Sequence, residues 1–112
     1  MSNKNLLELD PEDIKINLTP QAEKYIEEKK VSQITVSLVK IVGGWDPTIR
    51  PAAQVLKPDE KIIDKFVKKV INGTNIYFAR NLEPKNYETG ITIDARGFWI
   101  FKKLKLQGVK SQ

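Results

Sequence analysis

The chain has 112 residues, 40% of them apolar and 29% charged, and its 19 Lys and Arg outweigh 14 Asp and Glu for a net charge of +5. A single domain with one core suits this length, and the balance of apolar and charged residues excludes wholesale disorder. With no cysteine and no histidine, disulfides, thiol catalysis, thiolate metal ligation and imidazole acid–base chemistry are excluded together.

Residues 1–13 run from polar to acidic with no basic stretch ahead of an apolar one, unlike a secretory signal. No apolar run reaches the roughly 20 residues a membrane-spanning helix needs. A soluble, cytoplasmic protein is the expectation, with 1–13 a flexible leader, 14–109 a single domain and 110–112 a short tail. Ile14, Ile16 and Leu18 alternate with polar residues, as in a half-buried strand. Thr19-Pro20 then reads as a helix N-cap followed by proline at the first helical position. The helix it opens extends to about Lys30, with Ala22, Tyr25 and Ile26 on one face. Ser32–Val42 is the clearest strand, and Gly43-Gly44 stops it. Trp45 to Pro51 reads as an irregular loop, with a short strand over Ala52–Leu56.

For residues 60–71 both helix and strand fit the apolar spacing. Asn72-Gly73 tips the reading towards a hairpin, since both residues tolerate the positive φ of a type I′ turn. Phe66–Ile71 is therefore expected to pair with Thr74–Ala79, behind a helical turn over Glu60–Lys65. Ile91, Ile93 and Ala95 alternate with Thr92, Asp94 and Arg96 in another strand, and Gly97 marks a bulge or turn. Phe98–Leu106 reads as the last strand, with Phe98, Ile100, Leu104 and Leu106 on one face and Trp99, Phe101, Lys103 and Lys105 on the other. The class is α+β, mostly β, with one main N-terminal helix.

Two places could carry a site. Gly43, Gly44 and Trp45 with Arg50 form the first, because glycines let a ligand approach the backbone and a guanidinium can clasp a carboxylate or phosphate. A glycine turn with Trp45 covering the core edge explains the same residues, and no phosphate-loop pattern accompanies them. The second is the face bearing Trp99, Phe101, Lys103 and Lys105. Aromatics interleaved with lysines can stack bases and neutralise phosphates, although such a pair more often packs beneath a helix or a partner subunit. No pair of residues stands out as catalytic.

Several segments, taken in order, resemble the HesB-like domain of the A-type iron–sulfur carriers. The likeness is closer to a branch of small proteins with a Cys-Cys or Cys-selenocysteine motif. They are Ile16-Asn17-Leu18-Thr19-Pro20-Gln21-Ala22, Ile34 to Val42 with Gly43-Gly44, Val70 to Leu82, Ile91-Thr92-Ile93, and Phe98 to Val109. The resemblance implies a twisted β-sandwich with one long helix, and a family that often forms oligomers. It places the first metal-binding cysteine of the carriers at Trp45, and the redox pair of the branch near Gly44, Trp45 and Asp46. None of these residues is a thiol or selenol, and the later Cys-Gly-Cys pair of the carriers has no counterpart. The expectation is a HesB-like domain with no metal and no cofactor, acting as a binding or accessory protein that engages a protein partner or its own copies. A small basic nucleic-acid-binding module is the alternative.

Overall fold

The computed structural model describes residues 13–42, 44–97 and 102–110. The expected leader, Gly43, and Phe98 to Phe101 (with them Trp99 and Phe101) lie outside the described residues. Among the described residues seven strands and one α-helix follow in chain order: β1 (Ile16–Leu18), α1 (Pro20–Lys29), β2 (Gln33–Ile41), β3 (Thr48–Gln54), β4 (Phe66–Ile71), β5 (Thr74–Ala79), β6 (Ile91–Arg96) and β7 (Lys103–Gln107). They form two mixed sheets, ordered β1-β6-β7 and β3-β2-β5-β4.

Local chemistry sets the elements. Thr19 accepts the Ala22 N–H through its hydroxyl and Pro20 opens α1, whose last turn closes on Lys30 at φ 53°. Here the Lys30 N–H turns back to Glu27 and Ile26 carbonyls, satisfying groups that a helix end leaves orphaned. The β4–β5 hairpin is the expected one, pairing Phe66 with Ala79 through Ile71 with Thr74. Asn72 and Gly73 turn it at φ 50° and 83°. A 3₁₀ turn, Ile63–Lys65, precedes β4, so residues 60–71 contain both a helical turn and a strand.

The partners of the other strands lie far apart in sequence. β1 runs parallel to β6, with Ile16 beside Ile91, and β2 runs parallel to β5, with Ile34 beside Ile76 and Val36 beside Phe78. Ile34, Val36, Ile76 and Phe78 from one sheet meet Ile91 and Ile93 from the other, and Ala22, Val31, Leu82 and Val109 complete the core. Fully burying a side chain such as Ile34 or Phe78 stabilises by about 1.5–3 kcal/mol, so this contact between sheets is the main source of stability. On the outer face of the larger sheet Thr35 and Tyr77 are also buried. The chain after β3 folds back over them, and the Thr35 hydroxyl donates to the Leu56 carbonyl at 2.7 Å.

Two sequence expectations need correction. The stretch read as an irregular loop to Pro51 is already strand from Thr48, and β3 ends at Gln54 instead of Leu56. Proline misled the reading, yet Pro51 lies opposite Leu38 on an edge strand. Arg50 and Ala52 on either side of it face β2, so Pro51 turns outward and the ladder loses no donor. The last strand begins at Lys103 within the described residues. Its parity is as expected, with Leu104 and Leu106 half-buried against the core and Lys103 and Lys105 exposed.

Candidate functional site

The Gly44–Arg50 segment caps a two-stranded arm. β2 pairs with β5 only through Val36, while β2 and β3 continue together from Leu38 with Pro51 to Ile41 with Thr48. Towards the end of this arm Trp45 is 99% exposed, Val42 82% and Ile49 59%. The reading of Trp45 as a cover for the core edge is therefore overturned: among the described residues nothing covers the ring. Gly44 is exposed and has open space around it. Arg50 stands in β3 opposite Val39, and it lines a shallow groove with Pro51, Lys85 and the end of β7. Trp45 and Arg50 thus share the arm without converging on one pocket.

Lys103 and Lys105 are exposed and belong to a different surface. Across the β6–β7 ladder Lys105 lies opposite Asp94, and Lys103 opposite Arg96, so these four side chains share one face. Asp94 is buried, an exception to the alternation of β6. Its Oδ1 accepts from the Thr19 hydroxyl at 2.6 Å and from the Ala95 N–H at 2.8 Å, and its Oδ2 from Arg96 Nε at 2.7 Å. The Thr19 hydrogen bond above all, then that from Arg96, holds the carboxyl below its ordinary range against the opposing effect of burial. The Thr19 N–H also donates to the Ile93 carbonyl at 3.1 Å. Asp94 therefore fastens the start of α1 to β6, near the positive end of the helix dipole. Sequence reading passed over it, because Thr19 and Asp94 are 75 positions apart and nothing local marks them as partners.

A second feature escaped the sequence reading altogether. A cavity of about 510 Å³ opens where β5 ends, between β2 and the turn before β4, with Leu38, Ile62 and Phe66 among its walls and Lys65, Arg80 and Asp64 around it. Its parts come from three separate segments, so no sequence signal announces it. Among the described residues no group of three or more carboxylates could hold a metal ion.

The family model for CC/Se motif containing proteins matches residues 14–109. The chain belongs to that family. No curated protein matches it. Among solved structures, IscA with a 2Fe–2S cluster is similar at 14% identity and a TM-score of 0.49, over 84% of this chain and 82% of that one. Escherichia coli SufA, described as involved in biosynthesis of iron–sulfur clusters, is similar at 13% identity and a TM-score of 0.45, over 83% and 79%. As a CC/Se family member this chain is unusual in the position the resemblance assigns to the motif. Gly44, Trp45 and Asp46 offer a bare backbone, an indole and one carboxylate, all exposed, and these cannot ligate a cluster or exchange a disulfide. The donor set does not fit the group that the motif implies.

Proposed function

We propose that this member of the CC/Se family works as an accessory protein that binds a protein partner, with the Trp45 end of the β2–β3 arm as its contact. One observation carries the reading: Trp45, at the position the resemblance assigns to the family's motif, is 99% exposed, and Val42 and Ile49 on the same arm are exposed as well. Indole rings are enriched among the residues that dominate protein interfaces. Arg50, on the same arm, adds a planar cation suited to a carboxylate on the partner.

The test is a photo-cross-linking residue placed at position 45 in cells, with exposed Lys57 as the control position, followed by reconstitution with the purified protein it captures. The expected outcome is one protein cross-linked from position 45 alone, whose affinity for the chain falls at least about tenfold in Trp45→Ala, the scale of a loss of 1.4 kcal/mol or more. Nucleic acid in the cross-link would replace this reading with the basic-module alternative. A reconstituted complex indifferent to Trp45→Ala would end it.

A further inference from the structure

The two long edges of the β2–β3 arm are built differently. The Asn75 N–H donates to the Ser32 carbonyl, which sets the alternation along β2: even-numbered residues turn their backbone groups towards β5 and odd-numbered ones towards β3. β5 accompanies β2 only as far as Val36. The N–H and C=O groups of Leu38 and Lys40 therefore face an edge that no strand covers among the described residues. On β3 the outward backbone positions include Pro51, opposite Leu38, and a proline removes a donor from an edge and discourages pairing there. One edge of the arm is blunted and the other is left open.

The open edge leads into the cavity at the end of β5, so a strand added there would continue the line that β5 abandons at Ala79. Leu38, Ile62 and Phe66 make its apolar walls. Among the described residues Lys40 lies on the edge and Lys65 and Asp64 at the cavity, while Arg80 is already engaged, its Nε donating to the main-chain carbonyl of Asp64 at 3.4 Å. Cations in this arrangement repel a basic or like-charged strand and favour one that carries carboxylates.

We propose that an extended acidic segment of a protein partner adds to β2 as a further strand. Its backbone bonds to Leu38 and Lys40, one apolar side chain enters the cavity, and its carboxylates lie towards Lys40 and Lys65. In this recognition mode main-chain hydrogen bonds give affinity and alternate side chains give selectivity. The inference goes beyond the Trp45 contact and stands on other residues, so either can fail without the other.

The probe is a fluorescein-labelled heptapeptide of alternating valine and glutamate, compared by fluorescence anisotropy with its valine–lysine counterpart. The acidic peptide is expected to bind and the basic one not to. N-methylation of the peptide at alternate residues should weaken binding about tenfold for one parity, since each such group removes a main-chain hydrogen bond and adds a clash. Methylation at the other parity should change nothing. Lys40→Pro, which deletes an edge donor and no β3 ladder bond, should have the same effect, and Lys40→Glu with Lys65→Glu should abolish the preference for acid. Trp45→Ala should leave binding unchanged. The methylated peptides act on the unaltered protein, so they decide the matter even if Lys40→Pro fails to fold. No binding at millimolar peptide, equal binding of the basic peptide, or methylation effects without parity would each overturn the proposal.

Discussion

Replacing Gly90 by alanine tests how tightly β1 is held against β6. Gly90 has φ +74°, and a Cβ there would overlap the Lys15 carbonyl oxygen and stand 2.7 Å from the Lys15 carbonyl carbon. The obstacle is backbone, so no rotamer change relieves it. The same Lys15 carbonyl accepts the Ile91 N–H at 2.9 Å, and the Asn17 side-chain amide ties β1 to the Thr89 and Ile91 carbonyls at 2.8 and 3.1 Å. A left-handed conformation costs a residue with a Cβ about 1–2 kcal/mol. Moving Lys15 away forfeits at least one buried hydrogen bond, about 1 kcal/mol, and loosens Ile14, which is 2% exposed, for about 1–2 kcal/mol more. The sum is about 4 kcal/mol. Gly73 has φ +83° and nothing within 4 Å of such a Cβ, so Gly73→Ala carries the conformational cost alone, about 1 kcal/mol. Urea unfolding of both variants measures the difference, and thermal unfolding should separate them by about 15 °C at roughly 5 °C per kcal/mol. Equal destabilisation of the two variants would refute the close approach of Lys15 to Gly90.

Asp94 supplies a pH prediction. Its folded pKa is lowered, so its contribution to stability is present above the unfolded value of about 3.9 and is lost as pH falls through the folded value. Urea midpoints at pH 7 and pH 3 should therefore draw closer together in Asp94→Asn than in the unaltered chain; an unchanged gap would show that Asp94 gains nothing on folding. Trp45→Ala should shift stability by less than about 0.5 kcal/mol, because the ring is 99% exposed, and a larger loss in denaturant titration would mean that the ring packs against something. Incubation with ferrous iron and sulfide should leave the desalted protein colourless and free of bound iron by metal analysis, since no cysteine or histidine is available; about one iron per chain would contradict this.

Amino-acid order alone determined the features whose causes lie within a few residues of each other. The Thr19-Pro20 helix start, the Asn72-Gly73 turn and the parity of β2, β6 and β7 are legible because capping groups, positive φ and strand alternation act locally. So is the absence of any thiol, which no fold can supply. The tertiary structure decided what depends on distant partners. It turned Pro51 from a loop signal into an edge residue, because only the pairing of β3 with β2 says which way a proline faces. It buried Asp94 on an otherwise outward position, because Thr19 arrives from 75 residues away to bond it. It also left Leu38 beside a cavity, because β5 accompanies β2 only as far as Val36, and the relative lengths of two strands distant in sequence are written in no local pattern.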